Sequence, residues 1–190
     1  MKSKPYLITS IVFGVISLIS AIILTLEEIA LWKNPNYVPS CSWNPLFSCQ
    51  GPMQSWQAHV FVMPNPIIGI VGFSFLIFMG IMGLLMKMPK WFWTLHAIGI
   101  TLATIFIGWL ISQTIYDIKA LCIYCMIVWS CMIPLFWMTV SRYFLDYYPN
   151  SKLVAIERIK IPLIVASYCA VAVMIYAQFH DFFDFLLGIR

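Results

Sequence analysis

The chain has 190 residues, 62% of them hydrophobic and only 9% charged, with a formal net charge of +4. A soluble domain of this size carries about 25% charged residues, so a soluble globular protein is excluded and most of this chain is solvated by lipid. The length allows one domain, residues 1–190.

Taken in order, the first apolar run is Tyr6 to Leu26, free of Asp, Glu, Lys and Arg. It is too long for the apolar core of a signal peptide, and Leu26-Glu27-Glu28 is no small-residue cleavage site, so it reads as a span that is kept. A long segment follows, Glu27 to Asn65, with Pro35, Pro39, Pro45, Pro52 and Pro64 and the aromatics Trp32, Trp43 and Trp56. Few charges and several tryptophans suggest a loop lying on the membrane surface, with a short interfacial helix within Gln50 to Phe61. Four more uncharged runs come next: Pro66 to Met86, Trp91 to Tyr116, Ala120 to Ser141 and Ile161 to Phe179. A spanning helix needs about 20 such residues, and in hydrocarbon the backbone must satisfy itself, so all five runs are expected to be helices. Gly69, Gly72, Gly80 and Gly83 recur on the second span, which fits close helix packing. Pro149-Asn150-Ser151 marks a turn between spans four and five.

Lysine and arginine in the loops set the orientation. Lys2, Lys4, Lys87, Lys90, Arg142, Lys152, Arg158 and Lys160 fall on one side, and only Lys33, Lys119 and Arg190 on the other. That bias predicts a multi-pass protein of the plasma or inner membrane, with a cytoplasmic N-terminus and an external C-terminus. The basic balance is thus a topology signal, and a nucleic-acid partner is not expected.

This topology sorts the six cysteines without using them. Cys41 and Cys49 lie in the external loop, and Cys122 and Cys125 at the external end of span four. Four cysteines meet on the face where disulfides persist. Cys131, about 13 Å deeper than Cys122, and Cys169, mid-span, read as small hydrophobes. Cys122-Ile123-Tyr124-Cys125 is a C-x-x-C motif at a helix N-terminus, where free N–H groups and the helix dipole stabilise a thiolate. Cys122 stands nearest to them and is expected to be the better nucleophile. Side chains three apart on a helix hold their Cβ atoms about 5–6 Å apart, against about 3.8 Å in a relaxed disulfide. A bond there would exchange easily. Inert disulfides in any of three pairings and a four-cysteine zinc site are the competing readings, although no second C-x-x-C completes a zinc site, and no metal is expected.

A dithiol relay needs a two-electron partner. The sequence has no G-x-G-x-x-G fingerprint and no C-x-x-C-H haem site. His59, His96 and His180 are scattered and read as packing or interfacial residues. A quinone dissolved in the bilayer is the remaining common carrier, and it would meet Cys125 among apolar walls. Asn65, in Met63-Pro64-Asn65-Pro66, starts span two at the depth of the C-x-x-C. Its amide N–H suits a quinone carbonyl and its side chain equally suits a helix N-cap. No acidic residue stands obviously at the site.

The loop pair in Cys41-Ser42-Trp43-Asn44-Pro45-Leu46-Phe47-Ser48-Cys49, then Pro64-Asn65-Pro66-Ile67-Ile68-Gly69, then Cys122-Ile123-Tyr124-Cys125 resembles the vitamin K epoxide reductase family over roughly residues 6–141. The likeness is to its bacterial, actinobacterial-type members. It implies an all-α membrane protein: a four-helix transmembrane bundle around a quinone (menaquinone or ubiquinone), capped by the external loop, with a fifth transmembrane helix added. It implies that Cys41 exchanges with an external partner, Cys49 relays to Cys122, Cys125 faces the quinone and Asn65 binds its carbonyl oxygen. The partner implied is a secreted or periplasmic thioredoxin-fold, DsbA-like protein. It would be a separate chain, because no thioredoxin domain follows the fifth span. Vertebrate members carry a tyrosine four residues after the second C-x-x-C cysteine. Trp129 stands there, lining the quinone site in this reading, and an indole donates but does not accept.

The activity expected is therefore oxidation of the partner's dithiol through Cys41/Cys49 and Cys122/Cys125 to a quinone. Reduction of a quinone epoxide is disfavoured by Trp129. A DsbB-type oxidase is disfavoured because its C-x-x-C precedes the second cysteine pair. A disulfide-stapled structural membrane protein is the reading from another class.

Overall fold

The computed structural model describes residues 3–34, 36–44, 46–61, 63–149 and 155–186, with side chains beyond residue 180 left aside. Lys2, Lys152 and Arg190 of the charge count, Pro35 and Pro45 of the loop, and the Asn150-Ser151 turn lie outside the described residues. The described residues are almost wholly helical, with no strands and one isolated bridge between Phe47 and Leu121. In chain order they are α1 (Lys4–Lys33), α2 (Gln50–Gln54), a 3-10 turn (Trp56–His59), α3 (Asn65–Leu85), α4 (Lys90–Gln113) continued by a π turn (Thr114–Ile118), α5 (Ile123–Tyr147) and α6 (Ile156–Leu186). Five of these helices, α1, α3, α4, α5 and α6, are long and apolar enough to cross a membrane.

Proline begins two of them. Pro5 and Pro66 occupy the first turns of α1 and α3, where their missing N–H groups have no helical partner to lose. Helix α1 runs through the middle of the bundle and packs on α3 and α5. Its buried face is rich in small residues, Ser10, Gly14, Ser17, Ser20 and Ala21, so backbones approach closely, as helices in lipid must when no hydrophobic force drives them together. Glycine on the partner helix meets this face: a Cβ on Gly80 would lie 2.6 Å from Ile11 Cγ1. The opposite surfaces carry Val71, Leu102, Ile105 and Val173, all more than half exposed, as lipid solvation permits.

Helices α3 and α4, although consecutive in sequence, form no closely packed pair, while α4 packs on α5. A buried polar cross-link joins α1, α4 and α5, where the Tyr6 hydroxyl is 2.9 Å from His96 Nε2 and 2.8 Å from Thr139 Oγ1. Thr139 spends its own hydrogen on the Leu135 carbonyl at 2.6 Å. Tyr6 therefore donates to Thr139 and accepts from His96, which fixes the histidine hydrogen on Nε2. Helix α6 leans on α5 from outside through Trp137 Nε1 donating to Ser167 Oγ (3.0 Å) and Tyr168 donating to the Ser130 carbonyl (2.6 Å).

The helix boundaries differ from the hydropathy reading in one instructive place. Helix α1 does not end at Leu26 but continues to Lys33, and the loop is shorter than expected. The two acidic residues that end the apolar run are buried, and Glu27 is satisfied from the loop side: it accepts hydrogen bonds from Ser40 Oγ (2.6 Å), the Ser40 backbone N–H (3.3 Å) and Tyr37 OH (2.9 Å).

Candidate functional site

The loop reaches the bundle through a turn built by its own side chains. Asn44 Oδ1 accepts from the N–H groups of Leu46 (3.0 Å) and Phe47 (2.7 Å), an Asx turn that substitutes a side chain for a backbone partner. Beyond it the chain pairs with the residues before α5: Leu121 N–H donates to the Leu46 carbonyl at 2.7 Å, and Ser48 N–H to the Leu121 carbonyl at 3.1 Å. Cys49 follows Ser48 and Cys122 follows Leu121, so two backbone hydrogen bonds set the two cysteines side by side. Their sulfurs are 3.3 Å apart.

Cys41 and Cys49 are joined in a disulfide. Cys122 and Cys125 are unbonded, so the exchangeable bond expected between them is not the one present. Cys122 is the N-cap of α5, and its sulfur accepts the Cys125 N–H at 3.3 Å. Hydrogen bonding from the Cys125 side chain, and then from the Cys125 and Tyr124 N–H groups, holds the Cys122 thiol below the usual thiol range against the opposing effect of burial. That is the nucleophile expected from its position. All three of Cys41, Cys49 and Cys122 are buried, packed with Leu24, Leu31 and Met53. The expectation that the loop presents one cysteine outward is not met in this conformation, because Cys41 is covered. Of the remaining two, Cys131 is buried in the bundle as expected, and Cys169 instead lies exposed on α6, which contacts only α5 and the end of α4 closely.

Below the cysteines lies a cavity of about 360 Å³ between α1, α3, α4 and α5. It sits where α3 and α4 fail to close on each other. Gly72 and Gly99 stand on its two sides, and a Cβ on either would meet nothing within 4 Å. Its walls are mostly apolar, and Cys49, Cys122, Cys125, Asn65 and Trp129 all line it. Five of the six site residues read from the sequence therefore converge there, with Cys49 and Cys122 in sulfur contact, and Cys41 lies one disulfide away.

Asn65 is not an N-cap. It is the first residue of α3, with Pro64 at the cap, and its Nδ2 donates to the Gln57 carbonyl at 2.7 Å. The facing carbonyl fixes which end of the amide is nitrogen. The Nδ2 group keeps a second hydrogen, and Oδ1 is buried without a hydrogen-bond partner. Buried polar atoms are rarely left so, and this one borders the cavity. An apolar slot with an unsatisfied amide at one end and two thiols beside it fits a quinone ring with an isoprenoid tail. Among the described residues, no group of three or more His, Cys, Asp or Glu stands together as a metal site.

Three side chains escaped the sequence reading. Glu28 lines the cavity at 2% exposure, which corrects the statement that no acidic residue is at the site. It pairs with His59, whose Nε2 is 2.9 Å from Glu28 Oε1. Gln57 holds the loop to the end of α4 by donating to Asp117 and to Gln113 Oε1 (3.4 Å). His96, read as a packing residue, does pack, and it also borders the cavity. Glu28 was legible as an acid at a span end, but its inward placement depends on α1 continuing past Leu26.

The family model for the vitamin K epoxide reductase family matches residues 8–140. No curated protein matches the chain.

Proposed function

The chain belongs to the vitamin K epoxide reductase family, whose members are membrane thiol–quinone oxidoreductases, and from that premise we propose that it oxidises an external thioredoxin-fold, DsbA-like dithiol protein and passes the electrons to a menaquinone or ubiquinone. The observation that carries this reading is the 3.3 Å contact between Cys49 and Cys122 sulfurs at the mouth of a cavity that Cys125 also lines. Thiol–disulfide exchange requires a thiolate to attack a sulfur directly, and reacting atoms at about 3–3.5 Å are in near-attack range.

The relay balances as follows. The partner's two thiols reduce Cys41–Cys49 and leave as a disulfide. Cys49 thiolate attacks Cys122 in a Cys122–Cys125 disulfide, forming Cys49–Cys122 and freeing Cys125 thiolate. Cys41 then attacks Cys49, restoring Cys41–Cys49 and leaving Cys122 and Cys125 as a dithiol beside the cavity. A quinone bound there supplies the two-electron sink, taking up two electrons and two protons. Asn65 would hold its carbonyl with the second Nδ2 hydrogen, Trp129 would form an aromatic wall, and the slot between α3 and α4 would admit its tail from the bilayer. In this reading, which the lysine and arginine bias supports, this end of the bundle, the loop and all four cysteines face the extracytoplasmic side of a plasma or inner membrane. One domain, residues 1–190, carries the whole site.

The test is reconstitution in liposomes with quinone and a reduced thioredoxin-fold protein, following thiols by mass-tagged alkylation and quinone by absorbance. One partner disulfide formed per quinone lost is the expected result. Cysteines that keep their redox state whatever is added would overturn the proposal and leave a stapled structural protein.

A further inference from the structure

Formation of a disulfide between Cys122 and Cys125 releases two electrons and two protons, and conversion of a quinone to a hydroquinone consumes both. Cys122 reacts as a thiolate whose proton has already passed to solvent, so the dithiol brings only the Cys125 proton and a second must be delivered to the cavity by another group. The cavity offers one acid for this. Glu28 lines it and is 2% exposed, and neither of its carboxyl oxygens has a hydrogen-bond partner, Oε1 standing within ion-pair distance of His59. Its height in the bundle follows from the packing of α1 on α3. Ala21 faces Gly69, whose Cβ position is 3.3 Å from Ala21 Cβ. Glu28 lies seven residues along α1, about 10 Å higher, and Asn65 four residues before Gly69 on the antiparallel helix, about 6 Å higher. The carboxyl group therefore stands within about 5 Å in height of the amide at the same end of the cavity.

His59 completes the arrangement. Its Nδ1 is 3.4 Å from the Ser55 carbonyl and its Nε2 2.9 Å from Glu28 Oε1. A ring nitrogen facing a carbonyl must carry its hydrogen, so Nε2, at ion-pair distance from Oε1, is the nitrogen left to exchange a proton with Glu28. The ring is one-third exposed while the carboxylate is 3% exposed, and Trp32 stacks on the ring at 6.3 Å, limiting its rotation. The pair thus has one member in contact with solvent and the other in contact with the cavity. The other ionisable groups nearby are committed elsewhere. Glu27 accepts from Tyr37 and Ser40, Asp117 from Gln57, His96 is bonded to Tyr6, and Cys122 and Cys125 are the redox pair.

We infer that Glu28 and His59 form the proton-transfer pair of the quinone cavity. His59 takes a proton from the aqueous face and shares it with Glu28 Oε1, and Glu28 holds it at the cavity wall until the Cys122–Cys125 dithiol is oxidised. This rests on the quinone reading above and adds to it the residues that balance the protons.

The experiment separates the two. Wild-type protein with Cys122 and Cys125 reduced is mixed with a soluble quinone analogue in single turnover, and disulfide closure is followed by quenched alkylation. Glu28→Gln is expected to slow closure at least 10-fold while exchange between Cys41–Cys49 and a reduced thioredoxin-fold protein stays at the wild-type rate. His59→Ala is expected to slow the same step, with recovery of at least half the rate on adding millimolar imidazole. A second readout needs no turnover: dicyclohexylcarbodiimide, which adds to protonated carboxyl groups in apolar surroundings, is expected to modify Glu28, and the quinone analogue to block it. Failure of the wild type to close its disulfide with quinone would overturn the quinone reading. A wild type that closes normally, with both variants at its rate, or with Glu28 unmodified by the carbodiimide, would overturn the proton-transfer pair alone.

Discussion

Replacing Cys41 and Cys125 together by serine should trap the central step of the relay. The double variant leaves Cys49 and Cys122 as the only thiols at the site, with their sulfurs 3.3 Å apart and about 1.3 Å left to close to a covalent bond. The backbone does not have to move far, because the hydrogen bonds that pair Leu46 and Ser48 with Leu121 hold both cysteines from adjacent residues. An effective concentration of about 10³ M, well below the ~10⁵–10⁸ M reached by well-oriented intramolecular pairs, would exceed about 10 mM of a competing monothiol by five orders of magnitude. The double variant should therefore form a Cys49–Cys122 disulfide on mild oxidation and keep it in a monothiol buffer. The assay is thiol counting after denaturation with a mass tag. Of the six cysteines, four remain, and a closed bond leaves two tags, on Cys131 and Cys169. Four tags after oxidation would refute the reasoning, since they would mean that the contact is not made in solution.

Other consequences follow from the same geometry. The Cys125 side chain is the first cause holding the Cys122 thiol low. A lowered thiol stays reactive as pH falls below the usual thiol range, so Cys125→Ala should move the alkylation midpoint of Cys122 to higher pH; an unchanged midpoint would contradict the assignment. Asn65→Ala removes the donor to the Gln57 carbonyl and the orphaned Oδ1 together. It should weaken binding of a quinone analogue about 10-fold, the ~1.4 kcal/mol of one hydrogen bond, read by tryptophan quenching, and unaltered affinity would remove Asn65 from the site. Two glycine substitutions on α3 should diverge. A Cβ on Gly83 would sit 2.4 Å from Trp93 Cη2, a buried ring, whereas one on Gly72 meets nothing within 4 Å. Gly83→Ala should cost about 1–3 kcal/mol and Gly72→Ala should be neutral or stabilise by up to about 1 kcal/mol, visible as opposite shifts in thermal melts in detergent.

The spans were legible because lipid imposes one rule on every residue of a segment, so uncharged runs translate into helices with little ambiguity. The convergence of the cysteines was legible too, because charge in the loops and the order of the spans are local features. Asn65 shows where that ends. Its two possible roles were equal in sequence, and only the proximity of the Gln57 carbonyl, eight residues upstream across an irregular loop, takes it off the cap and into the cavity. Glu28 shows the other limit. A hydropathy run stops at the first charge, yet α1 continues for about two more turns because its acids find partners above the bundle. Contacts such as Tyr6 with His96 and Thr139, separated by 90 and 133 residues, carry no local signal at all.

In the proposed relay the loop serves two tasks that pull against each other, and its construction suits both. Exchange with Cys122 requires Cys49 to be held still, which the Asn44 turn and the pairing with Leu121 accomplish. Exchange with a protein partner requires Cys41 to be reached, yet Cys41 is 3% exposed and packed with Leu24, Leu31 and Met53. The anchors divide accordingly. The Cys49 side is fixed by backbone hydrogen bonds to the start of α5, whereas the Cys41 side hangs on the side chains of Glu27, Ser40 and Tyr37. Side-chain contacts of this kind at a solvent boundary open more readily than a buried backbone ladder. Under the proposed function a partner would displace the Cys41 half while Cys49 stays against Cys122, so the cavity would remain covered as electrons enter from above it.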